Sequence, residues 1–409
     1  MTEQAIAAAG PAPFPPPARK GLGEQLAWLR RMRDEKPVYR DPSGTYHVFR
    51  YDDVLRVAMD TAVFSSNPAH VLPSDVPNMT DGMMLVADPP VHSKLRKLAS
   101  QAFTPRKMRA LAPRVTEISE ALLDGLPAEF DFVEGFAVPL PATVIAELFG
   151  IPAGDAGAFQ ELVEKIMLIE PPDLTDEAAV RASVDSALGG PFMELMGYLL
   201  QLCAVRRGEA DPAPGLITDL LNAELDGQRL ADHEVANLAV QILQAGHLTT
   251  AAVLGHAVLA LLEHPEVEAE LRADRSLIPR AVEEILRCWP PSTRLQRYTT
   301  ADTEVAGHPI PANSVVVPWM LSANHDERVF PDPERFDIRR HPNKHVSLGH
   351  GIHFCLGAML SRVEITGALN ALFDRYERMS PAPGSAPVEF QQTHMLFGPE
   401  RIPLATVRA

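Results

Sequence analysis

The residues whose types and spacing point most sharply to chemistry lie near the C-terminal end, in Ser347-Leu348-Gly349-His350-Gly351-Ile352-His353-Phe354-Cys355-Leu356-Gly357-Ala358. Gly349, Gly351 and Gly357 permit tight turns and close approach of backbone to a flat or bulky group. A helical pattern begins directly after the loop and sets Cys355 at a helix N-terminus. There the dipole and free N–H groups favour a thiolate over a thiol, and a thiolate cradled by backbone amides suits an axial iron ligand. A dinucleotide loop is excluded, because Phe354 stands where the third glycine of G-x-G-x-x-G belongs. His341, His345, His350, His353 and Cys355 could supply a zinc site, but Pro342 prevents a helical i,i+4 pair and no second cysteine is near. The loop alone leaves two readings open: an iron ligand, or an inert cysteine in a glycine turn.

Three further segments carry paired functional groups. Glu284-Ile285-Leu286-Arg287 puts a carboxylate and a guanidinium on one helix face. His92-Ser93-Lys94-Leu95-Arg96 spaces imidazole and guanidinium at i,i+4, where both can donate to one anionic edge or simply form a solvated face. Ala245-Gly246-His247-Leu248-Thr249-Thr250 falls in the middle of a long apolar pattern.

Taken in order along the chain, these four segments resemble the motifs of the cytochrome P-450 family, in particular its soluble bacterial haem-thiolate monooxygenases. The cysteine loop matches F-G-x-G-x-H-x-C-L-G except that Leu348 replaces the phenylalanine. Glu284 and Arg287 match E-x-x-R, and Pro333-Glu334-Arg335-Phe336 matches the segment whose arginine, here Arg335, completes a buried network bracing the loop. His92 and Arg96 match the helix that meets the haem propionates, and Arg297 and His353 occupy the family's other propionate positions. The resemblance runs from about residue 20 to the end of the chain. It implies haem b as cofactor, Cys355 as the axial iron ligand, and a loop in which Gly349 and Gly357 help form the haem cradle.

The segment 245–250 resembles A-G-x-[DE]-T-T, which makes Gly246, Thr249 and Thr250 the expected catalytic set: Gly246 leaves room for O₂, and the Thr249 hydroxyl bonds it. The departure is Leu248, which stands where an acid normally relays protons and which cannot carry one. A proton route through water, Thr250, His247 or a substrate hydroxyl is therefore expected. Family topology places the substrate pocket around Met83, Met84, Leu85, Met167, Leu243, Leu248, Leu295 and Met395. That lining is apolar and methionine-rich, adaptable to irregular shapes. The implied reaction is hydroxylation or epoxidation of a bulky, mostly apolar natural product, a macrolide or other polyketide first, a terpenoid, steroid or fatty acid second. A non-catalytic haem-fold helper is the remote alternative, disfavoured by intact Cys355, Glu284, Arg287 and Thr249.

The elements that must position these groups follow from the pattern and from the composition. The chain has 409 residues, Lys+Arg 37 against Asp+Glu 53 for a net charge of −16, 46% hydrophobic residues and Cys 3. A hydrophobic fraction of this size builds a core, the negative balance excludes a nucleic-acid binder, and three cysteines make no disulfide framework. A cytoplasmic monomer is expected. Residues 1–20, rich in alanine and proline, read as a disordered arm, and 21–409 as one haem-thiolate domain. Helical periodicity fills 22–33, 51–59, 95–102, 115–126, 142–148, 156–168, 190–207, 216–224, 235–262, 266–273, 278–288 and 356–376. Strand signals cluster at 37–49 and 298–317. The fold class is mainly α with minor antiparallel β, a P-450 fold with one long central helix. The 235–262 stretch is interrupted by Asn237, Gln241, Gln244, His247, Thr249, Thr250 and His256, so it reads as a core helix and no membrane span is expected.

No flavin or iron–sulfur domain fits beside a haem fold of this length, so separate donors, ferredoxin and ferredoxin reductase, are expected. Between Asp88 and Glu117 no carboxylate occurs, while Lys94, Arg96, Lys97, Arg106, Lys107, Arg109 and Arg114 cluster there. A basic patch of this kind can steer an acidic partner despite the global charge.

Overall fold

Apolar residues on all sides of a helix require neighbours on all sides, and the 232–263 run meets that condition. In the computed structural model, which describes residues 21–72, 82–152, 154–167, 181–182, 190–392 and 396–409, this run lies at the centre of the molecule. The expected arm at residues 1–20 lies outside the described residues. By length and composition the run could cross a membrane, yet 67% of its most apolar window is buried inside the protein. It is also not one helix. Asp232–Gly246 ends at His247, whose ψ of −81° leaves the helical region, and Leu248–Glu263 resumes beyond it. The Thr249 hydroxyl donates to the Ala245 carbonyl at 2.5 Å, competing with the backbone ladder at that turn. The expected single long helix is corrected to two helices with a break at the chemically interesting segment.

Around this pair pack the helices that carry the remaining motifs. Ala358–Arg375 lies against Ala112–Asp124 so closely that a Cβ at Gly367 would stand 2.9 Å from Val115 Cγ1. Ile278–Cys288 takes the bounds expected from its periodicity, with Pro279 in its first turn where a missing N–H costs nothing. Pro105–Ala110, not expected from the sequence, is a short helix that Thr104 caps by accepting from the Lys107 N–H at 3.3 Å.

The main sheet orders its strands Val38–Arg40, Tyr46–Val48, Val315–Pro318, Arg297–Thr299 and Phe64–Ser65. It is antiparallel except where Val315–Pro318 runs parallel to Tyr46–Val48, with Val316 opposite Tyr46. A second sheet of Tyr376–Pro381, Pro403–Arg408 and Glu129–Asp131 went unsignalled in the sequence, because its strands are short and largely polar. One large apolar cluster fills the helical part, and two smaller ones lie under the main sheet and around Trp319.

Candidate active site

The cysteine loop owes its shape to two left-handed glycines, Gly349 at φ +73° and Gly351 at φ +67°. A Cβ on Gly349 would also approach the His353 carbonyl oxygen to 3.2 Å, so only glycine fits. The Cys355 N–H donates to the Leu348 carbonyl at 2.7 Å, and Leu348 itself packs onto the helical core. The sulfur accepts from the backbone N–H groups of Gly357 and Ala358 just before and at the start of Ala358–Arg375. Burial is the largest influence on the Cys355 thiol and pushes it up; those N–H groups and the charges of Arg96 and Arg362 pull it back without overcoming burial. In the folded chain burial thus opposes the thiolate that the helix N-terminus favours.

A buried network braces the loop. Glu284 and Arg287 are both 0% exposed and bonded bidentately, Nε to Oε2 and Nη2 to Oε1, each at 2.8 Å. Arg287 also donates to the carbonyls of Asn324 (3.0 Å), Pro333 (2.8 Å) and Arg335 (3.2 Å). Glu284 further accepts from the Asp337 N–H, Arg340 Nε and Asn343 Nδ2 at 3.0, 3.1 and 3.0 Å. Arg335 is therefore not the third charged member. Its side chain is exposed and only its carbonyl takes part, while Arg340, five residues on, supplies the guanidinium. The chain bends after Pro333 and turns 335 outward, which its i-to-motif spacing could not reveal. Asn324 transmits the brace, donating to Ser347 Oγ at 2.7 Å and accepting from the Val346 N–H at 2.8 Å. A second pair that the sequence reading missed, Glu283 with Arg362, links the same helix to the helix after Cys355 at 2.6 and 2.8 Å, and His345 joins it at 3.1 Å.

His92, Arg96, Arg297 and His353 converge as expected. The rings of His92 and His353 stand 4.4 Å apart. Burial, then Arg297, His92 and Arg96, hold His353 down at about 3. Burial likewise lowers His92 and Arg297, with Asp88 as the opposing carboxylate. His92 is 2% exposed with both ring nitrogens lacking a partner, and Arg297 Nε is also buried and unpartnered. Buried donors left unpaired cost about 1–3 kcal/mol each, so this cluster fits a group that brings anionic oxygens. Together with the sulfur and the glycine cradle, the donors fit an iron porphyrin with carboxylate arms.

On the central helices, Ala245 is the one residue of the buried 235–261 interval that is exposed, with Gly246, Leu248 and Thr249 half-buried beside it and Thr250 buried. Gly246 does not simply leave open space. A Cβ there would meet Ile145 Cδ1 at 2.6 Å, so this glycine also lets two helices approach. Met83 is half-buried and Leu85 exposed. Of the expected pocket residues, Leu243 (0% exposed) and Met84 join the helical core cluster, and half-buried Leu295 packs against the cluster under the main sheet. Met395 and positions 168–174 lie outside the described residues; Met167 ends the helix Ala156–Met167.

Among the described residues no three His, Cys, Asp or Glu side chains gather to hold a metal ion, and His345 and His353 are engaged by Glu283 and Ser66, so the zinc arrangement does not form. In the basic segment, Lys107 pairs with Asp219 at 2.7 Å and Arg114 with Glu117 and Glu147. Lys97, Arg106 and Arg109 remain exposed, with no ion pair among the described residues.

Residues 37–404 match the cytochrome P-450 family model. The chain belongs to the cytochrome P-450 family. It is 43% identical over 365 residues to the erythromycin C-12 hydroxylase of Saccharopolyspora erythraea, covering 88% of this chain and 90% of that one. To the cyclomarin C epoxidase of Salinispora arenicola it is 40% identical over 383 residues, 92% and 95% of the two chains. The solved structure of a mutant P-450 EryK with erythromycin B superposes with a TM-score of 0.85 at 40% identity, covering 93% and 96%. The chain is thus a P-450 monooxygenase with haem as its cofactor, and the family shares its mainly helical fold with small sheets.

Proposed function

We propose that Cys355 is the axial haem ligand, that His92, Arg96, Arg297 and His353 hold the haem carboxylates, and that the enzyme hydroxylates or epoxidises a macrolide or other polyketide. The observation that carries this reading is the convergence of unpaired buried donors on the face of the amide-cradled Cys355 loop. The activities named for the two curated relatives support the substrate class.

When bound, haem supplies the activation of O₂, which with two electrons and two protons gives one oxygen atom to substrate and one to water. The chain's own part is to hold charge, exclude water and move protons. The Gly357 and Ala358 N–H groups stabilise negative charge on Cys355 Sγ, and the Glu284–Arg287–Arg340 network keeps the loop from relaxing. Thr249 holds a proton at Oγ1, tied to the Ala245 carbonyl in the resting geometry. Leu248 excludes bulk water on that side but offers no proton, so water or a substrate hydroxyl must recharge Thr249.

Electrons come from separate acidic donors, a ferredoxin served by its reductase, in the cytoplasm. Lys97, Arg106 and Arg109 form the dock, near the helix Ala358–Arg375, with Phe354 (41% exposed) and Met59 (55% exposed) as apolar contacts beside the loop. The deciding test is the reduced protein under carbon monoxide, which shows a thiolate-type Soret band that Cys355→Ser abolishes. A wild-type chain with haem but no such band overturns the ligand assignment. A spin-state shift on titrating macrolides, absent with steroids and fatty acids, checks the substrate class.

A further inference from the structure

The two imidazoles of the donor cluster are held differently. Neither nitrogen of His92 has a protein partner, whereas His353 Nε2 lies 2.9 Å from Ser66 Oγ. Ser66 is itself anchored: its backbone N–H donates to Asp88 Oδ1 at 3.0 Å. The adjoining Ser65 hydroxyl donates to Asp88 Oδ2 and accepts from the Asn67 N–H at 2.9 Å. Ser65 and Ser66 are 0% and 4% exposed. The strand Phe64–Ser65, which Ser66 follows, pairs with Arg297–Thr299, and Asp88, three residues before the helix of His92 and Arg96, accepts from the His92 N–H at its carbonyl at 2.9 Å. The Asp88 carboxylate therefore ties the end of that strand to the segment leading into the helix of His92 and Arg96.

We propose that Ser66, held by Asp88, is a positioning residue that fixes the His353 ring with its hydrogen on Nδ1, ready to donate to a haem carboxylate. A neutral imidazole has one N–H and one lone pair, and the partner of one nitrogen decides which is which. Asp88 takes the Ser65 hydroxyl and the Ser66 N–H, leaving the Ser66 hydroxyl hydrogen for His353 Nε2. Nε2 then accepts, and Nδ1, which has no partner among the described residues, carries the hydrogen. This is the outer support that orients ligand-holding histidines in metal sites generally, and His92 has none. The inference rests on the reading that haem occupies this site.

The test uses the haem-loaded protein in its diamagnetic ferrous carbon-monoxide form, with labelled histidine nitrogens read by NMR and the His353 signals identified by their loss in His353→Gln. Nδ1 of His353 is expected to be protonated and Nε2 not. Ser66→Ala is expected to lose that preference and to release haem to excess scavenging apoprotein several-fold faster, while Ser66→Thr, which keeps the hydroxyl, restores both. Protonated Nε2 in the wild type overturns the proposal, as does Ser66→Ala with unchanged tautomer and release. Asp88→Asn provides a second variant should Ser66→Ala not fold, with a mixed tautomer expected and an unchanged one overturning the proposal. Failure of the wild type to take up haem would overturn the site reading and this proposal together; an unaltered tautomer in loaded protein overturns this proposal alone.

Discussion

At residue 248 a leucine stands one position before Thr249, and its half-buried side chain carries no proton. General acid–base transfer by a placed side chain is worth about 10²–10⁴-fold in rate, so its absence puts the weight on water or on the substrate. Leu248→Glu is expected to raise the amount of product formed per NAD(P)H consumed and to lower peroxide release. Equal coupling in the two proteins would show that the leucine only packs. Glu283 offers a pH test at the same scale. Although burial pushes its carboxyl up, Arg362 and His345 hold it down at about 2, below its ordinary 4.5. A depressed carboxylate contributes stability that is complete above pH 4.5 and lost as pH falls toward 2, here about 3 kcal/mol at most. The stability difference between wild type and Glu283→Gln, followed by denaturant titration, is expected to shrink across that window. A difference that stays constant with pH contradicts the pairing.

Among the elements, the helix Ile278–Cys288 does most to hold the site, since its Glu284–Arg287 pair reaches both Asn324 and the 333–343 segment. Removing one member of a buried ionic network leaves its partners' charge uncompensated, at about 3–5 kcal/mol. Arg340→Ala is therefore expected to be strongly destabilising and to loosen haem binding, while Arg335→Ala, whose side chain is exposed, stays within about 0.5 kcal/mol of wild type. Thermal unfolding of the two variants decides which arginine completes the network; the reverse order would reinstate Arg335. The P-x-R-F spacing made 335 legible as a participant and misassigned the group, because a backbone carbonyl and a side chain of the same residue look alike in sequence. The His247 break was illegible for a related reason: helical periodicity continues across it, and only the folded backbone, with the His247 ψ of −81° and the Thr249 bond to the Ala245 carbonyl, shows the ladder interrupted.

Over the whole molecule, a net charge of −16 repels an acidic electron donor, and only local charge can reverse that. The seven cations of 94–114 are not equivalent in the folded protein. Lys107 and Arg114 neutralise nearby carboxylates, Arg96 is half-buried with its charge acting on Cys355, and Lys94 is half-buried too, which leaves Lys97, Arg106 and Arg109 exposed. Charge-reversed Lys97→Glu with Arg106→Glu and Arg109→Glu is expected to slow the first electron transfer from ferredoxin at least tenfold at low salt, with the deficit narrowing as salt rises. Stopped-flow reduction measures it, and Lys107→Glu serves as the comparison with little effect. Unchanged reduction rates in the triple variant would move the dock elsewhere.

By itself the sequence determined the family, the cysteine loop and the E-x-x-R pair, because local spacing along a helix or a glycine turn encodes each motif; the family resemblance then pointed to the imidazole and guanidinium donors. It also gave most helix positions, since apolar periodicity survives in one dimension. The tertiary structure alone decided which groups meet across the fold: Arg340 instead of Arg335 on Glu284, Ile145 against Gly246, Leu243 in the helical core, and Ser66 with Asp88 behind His353. Those pairings join residues between roughly twenty and almost three hundred positions apart. Burial and charge compensation select them, and neither quantity exists until the chain has folded.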